Sequence, residues 1–90
     1  SEAILLKQDD PLMCYNRGNA LFILGDLEKS VQDMDKAIEL DAANPDFFRA
    51  RGNVYYQMES YENACKDWGQ AQSMGDTKAG YNYNKYCSSK

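Results

Sequence analysis

Apolar residues recur along this chain at helical spacing, and short polar clusters interrupt them at regular places. Leu27, Val31, Met34 and Ile38 follow one another at steps of four, three and four, the period of one face of a helix. Ala64, Trp68 and Ala71 repeat the pattern. Ala79, Tyr83, Tyr86 and Cys87 fall at i, i+4, i+7 and i+8. The breaks are Gln8-Asp9-Asp10-Pro11, Gly25-Asp26, Asp41-Ala42-Ala43-Asn44-Pro45, Glu59-Ser60 and Gly75-Asp76. Between them the pattern predicts helices over about Leu12–Leu24, Leu27–Leu40, Asp46–Met58, Tyr61–Met74 and Thr77–Cys87. Asp10, Asp26, Ser60 and Asp76 stand where side-chain caps are expected, and Pro11 suits a first helical position. Ser88-Ser89-Lys90 is expected to fray.

The pattern is also self-similar. A displacement of 34 residues sets Pro11 on Pro45, Arg17-Gly18-Asn19 on Arg51-Gly52-Asn53, Glu28 on Glu62, Asp33 on Asp67 and Ala37 on Ala71. By the same shift Ala3, Ile4 and Leu6 fall on Ala37, Ile38 and Leu40, so the first residues read as the end of a preceding second helix. A period of this length signals stacked helical hairpins. The expected division is one domain over residues 1–90. Residues 1–10 close a preceding helix, 11–44 and 45–76 are two repeats, and 77–90 form a capping helix with its tail.

Gly18 and Gly52, Leu21 and Tyr55, Ser30 and Ala64, Met34 and Trp68, and Ala37 and Ala71 occupy matched places in the two units. With these residues the segment NRGNALFILGDLEKSVQDMDKAIELD resembles a tetratricopeptide repeat. Cys14 stands where that family commonly has a large aromatic, and Ala42 where a loop proline is usual. The resemblance implies an all-α fold, a right-handed superhelix of antiparallel hairpins. It also implies a non-catalytic module that binds a protein or peptide in its concave groove. The groove positions, carried over, are Tyr15, Asn19, Phe22, Ile23, Arg49, Asn53, Tyr56 and Gln57. If the short loop before the last helix moves its register by about two residues, Lys78 and Tyr81 join them. Tyrosine and arginine recur at binding hot spots, and a primary amide can both donate to and accept from a peptide backbone. Arg49 and Asn53 match the opening pair of a carboxylate grip found in some family members, but the rest of that set is missing. Arg49 reads equally well as an exposed helix residue.

Composition narrows the partners. The ninety residues carry a net charge of −4 and no histidine, which disfavours a phosphate backbone, so no nucleic acid is expected. No apolar run approaches the ~18 residues of a membrane helix, so no membrane partner is expected either. The chain begins at Ser1-Glu2, which reads as a fragment or processed form and leaves a signal peptide unjudged. The compartment stays open, with a reducing cytoplasm slightly favoured over a periplasmic or secreted setting. Glu28, Asp35, Glu39 and Glu62 lie on second helices that look outward, so the groove should be less acidic than the remainder and its ligand neutral or acidic rather than basic. The rival reading is a structural spacer or self-assembly unit of a longer array. The stub at Ala3–Leu6 covers only part of the face that a complete preceding hairpin would cover, so Leu5, Leu6 and neighbouring apolar atoms are expected to stay partly exposed and to offer a homo-oligomer contact through the N-terminal face.

Catalysis needs a matched acid, base or nucleophile. The chain has no histidine and no glycine-rich phosphate loop, and its cysteines lack metal-ligand spacing. Neither enzyme, metal nor cofactor is expected, and Cys14 reads as core filling. Gly18 and Gly52 read as sites of close helix approach rather than hinges. Arg17 and Arg51 each lie opposite an aspartate, Asp33 or Asp67, across an antiparallel hairpin, which reads as a paired salt bridge rather than a ligand site. Cys65 and Cys87 reach the same end of the last two helices. Facing side chains there could just meet as a disulfide, the alternative being two reduced thiols.

Overall fold

The computed structural model describes residues 10–87. Five helices follow one another, α1 (Pro11–Leu24), α2 (Leu27–Leu40), α3 (Pro45–Gln57), α4 (Tyr61–Ser73) and α5 (Thr77–Tyr86), and no strand occurs among the described residues. Helix α1 pairs with α2 and α3 with α4, while α3 also packs on α2 and α5 on α4. The result is an all-α stack of hairpins. The preceding helix end at residues 1–8, the Leu5–Leu6 contact and the tail at 88–90 lie outside the described residues.

The same turn is built three times. Asp26, Ser60 and Asp76 donate their backbone N–H to Leu21, Tyr55 and Ala71, six residues closing onto one carbonyl, and the residue before each is left-handed: Gly25 (φ 90°), Glu59 (φ 65°) and Gly75 (φ 101°). This geometry satisfies the orphan carbonyls of a helix end and favours glycine. Glu59 holds it against the Cβ penalty, so Glu59→Gly is expected to raise stability by about 0.5–1 kcal/mol in a denaturant melt. At the helix starts, Asp10 accepts from Leu12 N–H, Asn44 from Asp46 N–H, and Asp76 from both Lys78 and Ala79 N–H. Asp26 and Ser60 stand at the cap position but their side chains make no capping bond, contrary to the sequence expectation. The backbone at these two places has φ,ψ of −87°, 78° and −89°, 70°, outside the extended region held by the capping residues Asp10 (ψ 124°) and Asp76 (ψ 108°).

Part of the core recurs at the repeat spacing, Met34 with Trp68 and Ala37 with Ala71. Cys14, Ala37 and Phe47 form one cluster, and Ala64, Trp68, Ala71 and Ala79 another. Glycine in the middle of α1 and α3 costs about 1 kcal/mol each in helix propensity, and close packing accounts for it. Ser30 Oγ donates to the Gly18 carbonyl at 2.7 Å, and the indole of Trp68 lies against Gly52. A Cβ on Gly52 would stand 2.7 Å from the Trp68 ring and 3.2 Å from the Ala64 carbonyl oxygen, whereas one on Gly18 would meet the flexible Met34 Cε at 2.9 Å. Gly52→Ala should therefore destabilise by about 1–3 kcal/mol. Gly18→Ala should cost less than Gly52→Ala, since Met34 Cε is the end of a flexible side chain and the helix gains propensity, while Asp33 Cβ at 3.3 Å must also give slightly. Paired urea melts check both.

Arg17 and Asp33 meet in two parallel hydrogen bonds of 2.9 and 2.8 Å, and Arg51 and Asp67 in two of 2.8 Å. The pairing expected across each hairpin is present. Arg51 also donates to Asp35 on α2 at 2.7 Å, which ties the second hairpin to the first.

Candidate functional site

The first helices, α1 and α3, present one face of the stack, and α5 continues it. Between them lies a cleft of about 240 Å³ lined by Phe22, Asn53, Tyr56, Gln57, Trp68, Asn82 and Tyr86. Its walls are aromatic and its polar groups are amides. Tyr56 is the hub: its ring lies 4.7 Å from Tyr86, 5.6 Å from Trp68 and 5.2 Å from Tyr61, centroid to centroid. Asn53 is oriented from behind, because its Oδ1 accepts from Trp68 Nε1 at 3.1 Å and from Asn82 Nδ2 at 3.4 Å. With the oxygen engaged, its NH₂ is the group left to donate to a ligand.

Four of the groove residues expected from sequence, Phe22, Asn53, Tyr56 and Gln57, thus line one cleft. The others lie elsewhere. Tyr15 packs on Phe47 at 5.1 Å, half-buried beside the core. Asn19 is half-buried on α1, and Ile23 stands 81% exposed at its end. Arg49 is engaged within the chain: it pairs with Asp76, the cap of α5, and with Asp46 at 3.1 Å. Burial acts to depress its pKa, yet the facing carboxylate of Asp76 and its hydrogen bond more than compensate, and the guanidinium is held charged above its ordinary value. An arginine so paired is ill placed to grip a ligand carboxylate. Lys78 is exposed, and Tyr81 lines a separate depression with Gln72 and Gly75.

From α5, the residues beside Asn53 and Tyr56 are Asn82 and Tyr86, which follow Arg49 and Asn53 by one residue more than the shortened loop implies. The rotation of α5 about its axis is set by its contacts with α4. Ala79 is buried, Tyr83 lies over Gly69, where an added Cβ would come within 3.3 Å of its ring, and Cys87 is tied to Cys65. Loop length alone carries no signal for that rotation, whereas Gly69 opposite an aromatic stripe does. Tyr86, on the same stripe, is turned onto Tyr56 and Trp68 and stays 42% exposed. The cysteine pair is joined as a disulfide, with Cα atoms 5.8 Å apart. Among the described residues no cluster of acidic, histidine or cysteine side chains could hold a metal ion, and no helix is long and apolar enough to cross a membrane.

The family model for the TPR repeat matches residues 18–59, which run from the close-packed glycine of α1 to the turn after α3. The solved structure of YrrB, described as a TPR protein with an unusual peptide-binding site, superposes with a TM-score of 0.74 at 31% identity, over 83% of this chain and 39% of that one. The chain carries tetratricopeptide repeats. Tetratricopeptide repeat protein 13 of Homo sapiens is 34% identical over 74 residues, 82% of this chain, and neutrophil cytosol factor 2 of Bos taurus is 37% identical over 59 residues, 66% of it. The chain spans only 8% and 11% of the length of these two relatives. TPR stacks generally act by binding other proteins.

Proposed function

We propose that this TPR chain is a non-catalytic interaction module that holds an extended, largely neutral peptide segment in its concave groove. The cleft at Phe22, Asn53, Tyr56, Gln57, Asn82 and Tyr86 carries the reading, since it joins aromatic walls to backbone-competent amides in one place. A single apolar side chain of the ligand enters the aromatic cleft, and Asn53 and Gln57 bond the flanking peptide groups. With Arg49 paired to Asp76, a neutral segment fits better than an acidic one. A second reading, a spacer within a longer array, draws on α1, where Ile23 and Leu24 are 81% and 79% exposed.

Selection from a displayed random-peptide library separates the two readings. The module should enrich a family of peptides whose affinity falls about tenfold or more for Phe22→Ala/Gln57→Ala, equivalent to ~1.4 kcal/mol. The melt of that variant should stay close to wild type, because Gln57 is exposed and Phe22 only half-buried. Enriched peptides that bind the variant as well as the wild type would sink the groove reading.

A further inference from the structure

The Cys65–Cys87 bond lies at the edge of the core, where Cys87 packs against the Trp68 cluster. It forms part of the wall of an open cleft of about 640 Å³ between α4 and α5, lined also by Tyr61, Lys66, Gly69, Tyr83 and Tyr86. Both cysteines are partly exposed, whereas Cys14 is buried and unpaired. Tyr86, the neighbour of Cys87, lines this cleft and the groove cleft alike. Its ring lies 4.7 Å from that of Tyr56 and 5.7 Å from that of Trp68. Helix α5 has only ten residues, too few to persist without support. Its first turn is capped by Asp76 and braced by Arg49; at its far end the disulfide ties it to α4.

We propose that Cys65–Cys87 is a site of thiol–disulfide exchange that switches the third wall of the groove. The switch rests on the groove reading for its consequence, though not for its mechanism. A thiolate of an external dithiol attacks one sulfur of the pair, forming a mixed disulfide and breaking the Cys65–Cys87 bond, and the released sulfur takes up a proton. The second thiol of the reductant loses its proton and displaces the remaining cysteine sulfur, which is protonated in turn. Two cysteine thiols and an oxidised, disulfide-bearing reductant result. The last turn of α5 then frays as free helix ends do. Tyr86 leaves Tyr56 and Trp68, and the groove loses one aromatic wall. The open cleft gives the attacking thiolate its approach, which a core disulfide would deny.

Trp68 is the sole tryptophan and reports the state of Tyr86 without any ligand. Protein made in an oxidising compartment should show one thiol per chain when titrated in denaturant without reductant. Dithiothreitol should then raise acrylamide quenching of Trp68 several-fold and speed amide exchange at residues 77–87 by tenfold or more, with α1 to α3 unchanged and both effects reversed on reoxidation. Cys65→Ser/Cys87→Ser should sit at the reduced values and ignore the dithiol. Oxidised Tyr86→Ala should raise the quenching and leave the exchange of residues 77–83 as it was. Three free thiols, or a reduced chain with quenching and exchange like the oxidised one, would overturn the switch. Peptides from the library selection should bind the reduced chain several-fold more weakly. A Trp68 response with no peptide selected by the oxidised chain would support the switch and count against the groove reading.

Discussion

Replacing Trp68 with alanine is expected to remove about 3–5 kcal/mol of stability, the cost of deleting a large aromatic from a site that cannot collapse. The indole is 1% exposed. Its buried neighbours Ala64, Ala71 and Ala79 are already methyl-sized, so none can extend into the space it leaves. Gly52 offers no side chain at all, and Tyr56 and Tyr86 are held by contacts with each other. The substitution also takes away the Nε1–H that Asn53 Oδ1 accepts. A domain of this size has on the order of 5–10 kcal/mol in hand, so the variant should lose most of its cooperative urea transition, followed by far-UV circular dichroism. Trp68→Phe keeps much of the volume and loses the hydrogen bond, and should cost about 1–2 kcal/mol. A Trp68→Ala melt superimposable on wild type would contradict the packing of α3 on α4.

Trp68 was legible in the sequence because it shares a register with Met34, and the repeat doubles every signal. One hairpin with Gly18, Ser30 and Met34 is ambiguous; a second with Gly52, Ala64 and Trp68 at the same offset is a structural statement. The arginine–aspartate pairs became visible in the same way. What the repeat could not convey is whatever occurs once. Helix α5 has no second copy, so its rotation depends on Gly69, Tyr83 and the cysteine pair, and Asn82 and Tyr86 arrive at the groove in the place given to Lys78 and Tyr81. Arg49 has no matching arginine in the first unit, where Tyr15 stands, and its partner Asp76 is distant in sequence. Its pairing depends on a tertiary contact that no local pattern encodes. The missing side-chain caps at Asp26 and Ser60 go with the backbone: ψ is 78° and 70° there, against 108° at Asp76, which follows the same left-handed turn and does cap, and residue type alone does not encode that difference.

Arg51→Met should cost about 3 kcal/mol, and Arg17→Met, the same change at the matched position of the first repeat, less than about 1 kcal/mol. Both arginines grip an aspartate through two parallel hydrogen bonds, so bond count does not separate them. Burial does. The Arg17 and Asp33 side chains are 59% and 13% exposed, those of Arg51 and Asp67 21% and 7%. Exposed pairs are worth little because water replaces the lost partner. Removing one member of a buried pair leaves a carboxylate with poor access to water, at a cost of about 3–5 kcal/mol, and the low end applies because the pair reaches the surface. Arg51 does more than Arg17 in two further respects. It bonds Asp35 and so links the hairpins, and its guanidinium lies 5.7 Å from the Phe48 ring centre and 5.8 Å from that of Tyr55. The hydrogen bond to Asp67 outweighs burial and holds its pKa far above the usual arginine value, so the pair stays ionised on the arginine side throughout the working range. Methionine keeps the stem's contact with those rings, which confines the loss to charge and hydrogen bonds. Adding Asp67→Asn to Arg51→Met removes the stranded charge and should recover a third or more of the loss, a coupling that a double-mutant cycle measures. Equal costs at positions 17 and 51 would show that burial of the pair, and with it the junction between the two repeats, is not what these arginines supply.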